Sequence, residues 1–162
     1  EMLSRTIRPQ RAVEIGSFVG YSTLCLARGL APGGVLHAIE ADEEHEAALR
    51  RATAPVADQV RIHIGAALDV LPTLEGPFDL AFIDADKEHN RDYYDLLVPK
   101  MRAGGFIMID NVLWSGKVLH PEANGDRDTA QVTALNDYVQ NDPRTDNLLL
   151  PVRDGLMLCR VR

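Results

Sequence analysis

Two short apolar segments of the sequence end abruptly in oxygen-bearing side chains. In the run 82–87 the apolar stretch ends at Asp84, and further along the chain Ile109 is followed by Asp110 and Asn111. In an open α/β sheet, ligands bind beyond the carboxyl ends of the strands, so two neighbouring strands would bring these side chains to one point. Two carboxylates and an amide are hard oxygen donors that suit Mg²⁺, Mn²⁺ or Ca²⁺ and suit Zn²⁺ poorly. The pattern therefore predicts a divalent-cation site at the reaction centre.

The elements that must position these residues alternate between strands and helices. Strands are predicted at 12–15, 35–39, 60–64, 78–83, 106–109, 148–152 and 156–160, and helices at 23–29, 43–52, 66–74, 90–101 and 129–141, after a helix end at 1–6. A loop that contains Trp114 and Gly125 follows Asn111, and Asp154-Gly155 is a hairpin signal between the last two strands. This order predicts an α/β fold with a doubly wound, mostly parallel sheet, to which the closing hairpin adds an antiparallel strand.

The turn after the first strand is a candidate cofactor cradle. It begins at Gly16, but Phe18 and Tyr21 occupy the second and third glycine positions of a dinucleotide fingerprint, so a dinucleotide is disfavoured. Glu14 precedes the turn, where a carboxylate would repel a pyrophosphate and attract a cation or an amino group. Glu40, 24 residues after Gly16, is placed to accept hydrogen bonds from two ribose hydroxyls. These features favour S-adenosylmethionine, although both glutamates could instead be strand ends at the solvent edge.

The bulk composition is that of an ordinary globular protein. The 162 residues, 46% hydrophobic and 25% charged, predict one domain spanning the whole chain. The net charge of −7 argues against a nucleic-acid partner held by phosphate contacts. Cys25 and Cys159 form no disulfide framework or metal spacing, which fits a reducing cytoplasm. No apolar run reaches the ~18 residues that a membrane span requires.

Three motifs, taken together and in this order, resemble the cation-dependent class I O-methyltransferases, which include the caffeoyl-CoA and catechol O-methyltransferases and their bacterial relatives. The first motif comprises residues 13–16 and 20–22, the second residues 82–87 and the third residues 110–116. The resemblance covers nearly the whole chain. It implies a seven-stranded Rossmann-like sheet, S-adenosylmethionine as methyl donor and a divalent cation, usually Mg²⁺. It also implies a small hydroxylated aromatic acceptor such as a catechol, and it is compatible with a homodimer.

The resemblance assigns roles by position. Asp84, Asp110 and Asn111 match the cation ligands, and Lys87 matches the lysine proposed to take the proton of the acceptor hydroxyl. The residues that match the cofactor site are Glu14, Gly16, Ser17, Ser22, Glu40, Ala67 and Asp84.

Each of these residues could instead have a purely structural role. An aspartate after an apolar strand often caps the next helix. Asp84 alone could be such a cap, but the second acidic strand end at Asp110 favours the site. Asp86 is expected to be a cap or a neighbour of the ligands. Lys87 is as well explained as a solvated surface residue, and Trp114 is expected to pack over its own loop.

Two departures from the family pattern bear on activity. Relatives carry several dozen further residues upstream, so the chain is expected to lack the N-terminal helices that help to cover the cofactor and the acceptor. Ser115 stands where the plant caffeoyl-CoA enzymes have an asparagine that helps to hold the acceptor, so caffeoyl-CoA is not the expected acceptor. Two alternatives stay open: a hydroxyuridine of tRNA as acceptor, and a module that binds S-adenosylmethionine without catalysis.

Overall fold

The computed structural model describes residues 1–124 and 126–162. Gly125, which the sequence places in the loop after Asn111, lies outside the described residues. The strands are β1 (Arg11–Ile15), β2 (Val35–Glu40), β3 (Val60–Ile64), β4 (Phe78–Ile83), β5 (Met101–Asp110), β6 (Thr145–Leu150) and β7 (Leu156–Val161). Within the described residues they form one seven-stranded sheet in the order β3-β2-β1-β4-β5-β7-β6.

The pairing of the strands confirms the predicted fold class. The neighbouring pairs from β3 to β5 are parallel, whereas β7 runs antiparallel to both β5 and β6. The strand order reverses between β1 and β4, which is the switch point where open α/β sheets bind ligands. The hairpin of β6 and β7 thus supplies the antiparallel strand that the Asp154-Gly155 signal predicts.

Helices connect the strands. They are α1 (Met2–Ile7), α2 (Tyr21–Ala27), α3 (Glu46–Thr53), α4 (Ala67–Val70), α5 (Asn90–Leu97), α6 (Pro121–Asn124) and α7 (Arg127–Gln140). Short 3₁₀ turns lie at Glu43–His45, Ala54–Val56, Leu71–Thr73, Val98–Lys100 and Trp114–Leu119. None of the helices in the described ranges is long and apolar enough to cross a membrane.

Two sequence predictions about these elements were wrong. The helix predicted at 90–101 ends in a 3₁₀ turn, and β5 begins at Met101, five residues before the predicted start at 106. Gly104 and Gly105 suggested a break, but Met101 pairs with Phe78 and the irregularity is a register shift within the paired strands. The loop after Asn111 also contains helical turns, at Trp114–Leu119 and Pro121–Asn124.

The core is divided between the two faces of the sheet. On one face, α5 and α7 cover a cluster that includes Ile15, Ile83, Ile107 and Tyr94. On the other face, α1 and α2 cover a smaller cluster that includes Leu36. Because the central strands are buried on both sides, their carboxyl ends are held rigidly where they emerge from the sheet.

The amino ends of the central strands are fixed by one carboxylate. The Asp79 side chain on β4 accepts hydrogen bonds from the main-chain N–H groups of Gln10 and Arg11, each at 2.8 Å. It also accepts one from Arg102 Nε on β5, at 2.5 Å. Burial raises the pKa of Asp79, but these donors outweigh burial and hold the pKa below its usual value. This carboxylate ties together three neighbouring strands at the edge opposite the candidate site.

Candidate functional site

A cleft of about 1420 Å³ opens at the carboxyl ends of the central strands. Its position follows from the register of the sheet, because Ile39, Ile15, Ile83 and Ile109 pair in sequence across β2, β1, β4 and β5. The residue after each isoleucine therefore lies in one row, and this row is Glu40, Gly16, Asp84 and Asp110. The row continues into β7, where Leu156 pairs with Asp110. All five residues of this row line the cleft.

Most of the cofactor residues that the sequence predicts lie on this cleft. The cleft is lined by Gly16, Ser17, Ser22, Glu40, Ala67 and Asp84. Glu14 is the exception, because its side chain is completely buried and it is not a lining residue. The structure thus brings six of the seven predicted residues to one concave surface, with the seventh behind it.

The first turn passes so close to the end of β4 that only glycine fits. Gly16 has φ +88°, and a Cβ atom added there would lie 2.1 Å from the carbonyl oxygen of Asp84. The N–H groups of Gly16 and Ser17 both donate to the carbonyl of Ile39, at 3.0 and 3.1 Å. The turn is therefore fixed to β2 on one side and contacts β4 on the other.

Glu14 holds this turn from behind. Its Oε2 accepts hydrogen bonds from Ser17 Oγ at 2.9 Å and from Thr23 Oγ1 at 2.5 Å. Its Oε1 has no partner among the described residues. Burial is the main cause that raises the pKa of the Glu14 carboxyl, although the neighbouring hydroxyls lower it. Glu14 therefore stabilises the connection between β1 and α2, and it does not present a charge to a ligand in the cleft.

Glu40 lies at the wall of the cleft and not at the solvent edge. Only 7% of the residue is exposed. Its Oε2 accepts from the main-chain N–H of Phe18 at 2.7 Å, and its Oε1 accepts from that of Asp42 at 3.0 Å. His45 Nδ1 lies 3.2 Å from the same Oε1. A carboxylate oxygen has two lone pairs, so Oε2, which has one partner, keeps capacity to accept a hydrogen bond from a ligand.

Two of the three predicted cation ligands, Asp84 and Asp110, line the other half of the cleft, whereas Asn111 and Lys87 lie behind it and are not lining residues. Burial raises the pKa of Asp84, and the negative charge of Asp110 raises it further. Asp110 Oδ1 accepts from the main-chain N–H of Asn111 at 2.7 Å, and Asn111 has a left-handed backbone with φ +63°. This conformation brings the Asn111 amide back toward the strand ends, where its Oδ1 accepts a hydrogen bond from Lys87 Nζ at 3.1 Å. Two carboxylates, an amide and an amine thus share one small region.

Lys87 is half-buried, so it is not a solvated surface lysine. Burial lowers the pKa of its amine, whereas the charges of Asp84 and Asp110 raise it, and the net shift is downward. No group of three or more His, Cys, Asp or Glu side chains that could hold a metal occurs in residues 1–124 and 126–162. Any cation at this point would therefore be held by two carboxylates together with the amide oxygen.

The neighbouring residues have structural roles. The Asp86 carboxylate accepts from the N–H of His89 at 3.0 Å and from Tyr93 Oη at 2.6 Å, so it ties the turn before α5 to a side chain of that helix. The Lys87 amine lies over the Trp114 ring, with Nζ 5.7 Å from the ring centroid. The indole N–H of Trp114 is buried without a partner among the described residues.

Sequence reasoning missed two walls of the cleft. One is α1, which contributes Leu3 and Ser4, and the other is the turn between β6 and β7, which contributes Val152 and Arg153. The sequence marks this turn only as a hairpin, because its position opposite Asp110 follows from the pairing of β5 with β7. No local pattern in the sequence encodes that pairing.

Comparisons with known proteins bear on the family of the chain. The family model described as O-methyltransferase matches residues 1–162. Catechol O-methyltransferase of Mycobacterium tuberculosis is 42% identical over 135 residues, which are 82% of this chain and 61% of that protein. Caffeoyl-CoA O-methyltransferase 1 of Eucalyptus globulus is 36% identical over 171 residues, which are 98% of this chain and 70% of that protein. The chain thus spans about two thirds of the length of these relatives.

A solved structure has the same fold as this chain. The O-methyltransferase TomG of Streptomyces achromogenes, solved in complex with S-adenosylmethionine, superposes with a TM-score of 0.91 at 32% sequence identity. The superposition covers 99% of this chain and 76% of the TomG chain. The structural likeness therefore extends over nearly the whole of this chain.

Proposed function

The chain belongs to the O-methyltransferase family, and on this premise we propose that it transfers a methyl group from S-adenosylmethionine to a hydroxyl of a catechol-like small molecule, with a divalent cation as cofactor. The observation that carries the proposal is the row Glu40, Gly16, Asp84 and Asp110 at the switch point of the sheet. One half of this row suits a nucleoside and the other half suits a hard cation. A methyl donor and a hydroxylated acceptor would meet where the halves join.

The cofactor half is suited to a positively charged nucleoside. The Glu40 carboxylate is held at the end of β2 by the N–H groups of Phe18 and Asp42, and its Oε2 keeps a lone pair for a ribose hydroxyl. Carboxylates at Glu40, Asp84 and Asp110 line the cleft and would repel a pyrophosphate. They would attract the sulfonium and ammonium groups of S-adenosylmethionine. This is the ligand with which the structural neighbour TomG was solved.

The donor set at the other half fits a hard divalent cation. Burial raises the pKa of Asp84 and the charge of Asp110 raises it further, and a dication would relieve this repulsion. Asp84, Asp110 and Asn111 would hold the ion through carboxylate and amide oxygens, which Mg²⁺, Mn²⁺ and Ca²⁺ prefer. Such an ion supplies Lewis-acid chemistry, which orients neighbouring acceptor oxygens and lowers the pKa of the hydroxyl to be methylated.

Lys87 is the residue that we assign to the acceptor proton. An amine accepts a proton only in its neutral form, and burial lowers the pKa of Lys87 toward that form. Its Nζ lies 3.1 Å from Asn111 Oδ1, so it is held beside the proposed position of the acceptor hydroxyl. The rest of the contribution comes from positioning, because the rigid strand ends would hold donor and acceptor in line for transfer.

The test is a transfer assay with methyl-labelled S-adenosylmethionine and a set of catechols, with Mg²⁺ and in parallel with EDTA. We expect a labelled methyl ether that disappears with EDTA and in Asp110→Asn. Asp58→Asn is the matched control, because this exposed aspartate precedes β3 at the opposite edge of the sheet. Transfer that survives EDTA would overturn the cation dependence. Binding of the cofactor without transfer to any catechol would overturn the acceptor class and favour a binding module.

A further inference from the structure

The turn between β6 and β7 forms the acceptor-side wall of the cleft. Leu156, the first residue of β7, pairs with Asp110, so the turn that precedes it lies directly beside the proposed cation site. Val152 and Arg153 of this turn line the cleft together with Leu156. Glu40 and the first turn lie on the other side of β4. A molecule bound at Asp110 would therefore meet this turn, whereas the nucleoside would not.

The turn is held rigidly against the segment after Asn111. The main-chain oxygen of Asp154 accepts from the N–H of Leu113 at 2.8 Å, and that of Gly155 accepts from Val112 at 3.2 Å. The Asp154 carboxylate also accepts from the N–H of Ser115. These contacts fix Arg153 in a left-handed conformation with φ +53°, which costs energy for a residue other than glycine. The base of the Arg153 side chain thus has a defined position at the mouth of the cleft.

The charge of Arg153 is unusual in this place. Among the described residues that line the cleft, it is the one lysine or arginine, whereas carboxylates occur at Glu1, Glu40, Asp84, Asp86, Glu88 and Asp110. Within residues 1–124 and 126–162, Arg153 makes no hydrogen bond or ion pair with another residue. A guanidinium is a planar fork of donors that matches a carboxylate. Its donors are therefore available to a ligand that enters the acceptor side of the cleft.

We propose that Arg153 is a specificity-determining residue that binds a carboxylate on the acceptor, so that the preferred acceptor is a catechol carrying an acid group away from its hydroxyls. This inference rests on the proposed function. Val152, which is 63% exposed, and Leu156 provide apolar surface between Asp110 and Arg153 against which an aromatic ring can lie. A carboxylate fits better than a phosphate ester, because one arginine among several carboxylates can balance one negative charge but not two.

The test compares acceptors that share a ring and differ in charge. The probes are 3,4-dihydroxybenzoate, its neutral methyl ester, and 3,4-dihydroxyphenethylamine, each assayed with the wild-type chain and with Arg153→Gln. We expect the wild-type kcat/KM to be about tenfold higher for the acid than for the ester, and lowest for the amine. In Arg153→Gln the KM for the acid should rise to that of the ester, with kcat for both acceptors unchanged.

Two further variants separate recognition from structure. Arg153→Lys keeps the positive charge and should retain part of the preference for the acid. Arg51→Gln removes an exposed arginine of α3 that does not line the cleft, and it should change nothing. Equal kcat/KM for acid and ester in the wild type, with no effect of Arg153→Gln, would overturn the assignment and leave the proposed function intact. Absence of transfer to all three acceptors, including the neutral ester, would overturn the proposed function and this assignment with it.

Discussion

Substitution of Gly16 by alanine should disturb both halves of the site at once. The added methyl carbon would lie 2.1 Å from the Asp84 carbonyl oxygen, more than 1 Å inside ordinary contact, which begins at 3.4 Å. The carbonyl carbon of Asp84 and the Cα of Ala85 are also close, at 2.8 and 3.2 Å. All three atoms belong to the backbone, so no side-chain rotation can relieve the overlap. Either the first turn or the end of β4 must move.

The cost has two separable parts. A left-handed backbone costs an alanine about 1–2 kcal/mol relative to glycine. Overpacking against a rigid backbone adds about 1–3 kcal/mol. We therefore expect Gly16→Ala to lower the free energy of unfolding by roughly 2–5 kcal/mol, a large share of the ~5–15 kcal/mol available to a typical domain. A displacement of about 1 Å near reacting groups can reduce the rate about a hundredfold. The rate of methyl transfer should therefore fall by more than the loss of folded protein alone explains.

Gly33 offers a matched control for the backbone part. It has φ +75°, close to that of Gly16, but its nearest heavy atom to an added Cβ is Gln10 Nε2 at 3.8 Å. Gly33→Ala should therefore cost only about 1–2 kcal/mol in urea unfolding and leave cofactor binding unchanged. Calorimetric titration with S-adenosylhomocysteine measures that binding. Equal loss of stability in the two variants, with cofactor affinity unchanged in both, would refute the reasoning from the Gly16 contact.

Two further predictions concern the pH dependence of stability. Because burial raises the pKa of Glu14 above its ordinary 4.5, the stability linked to this carboxyl is present at low pH and is lost as the pH rises through its folded pKa. Glu14→Gln should therefore gain stability relative to the wild type in urea unfolding as the pH is raised, and a difference independent of pH would contradict this. The stability linked to Asp79 has the opposite pH dependence, because hydrogen-bond donors outweigh burial and lower the pKa of this carboxyl. Asp79→Asn should lower the free energy of unfolding by about 1.5–3 kcal/mol at neutral pH. The difference from the wild type should shrink in acid, and thermal unfolding at neutral and at acidic pH measures it.

Much of the site could be predicted from the sequence, because strand ends are visible there. An apolar run that stops at a carboxylate marks the point where a strand leaves the core, and this pattern identifies Asp84, Asp110 and Glu40 correctly as strand-end residues of the cleft. The Gly16 turn is equally visible, because glycine before a helix signals a tight connection. Neither pattern requires knowledge of which strands are neighbours.

What the sequence could not predict depends on contacts between distant segments. Glu14 has the position of a rim residue, yet Ser17 and Thr23 draw its carboxylate inside the turn, where it is completely buried. The early start of β5 at Met101 depends on pairing with Phe78, which no local pattern reveals. The approach of Arg153 to the cleft likewise depends on the insertion of β7 between β5 and β6.

The register of the sheet explains why Asp84 is assigned to both the cofactor and the cation. Strand β4 lies between β1 and β5, so the residue after Ile83 has Gly16 on one side and Asp110 on the other. The main chain of Asp84 contacts the first turn, while the charge of Asp110 raises the pKa of the Asp84 carboxyl. A shift of β4 by one residue would move both contacts away together. The two halves of the site are thus coupled through a single residue on the central strand, and a change in either half should be measurable in the other.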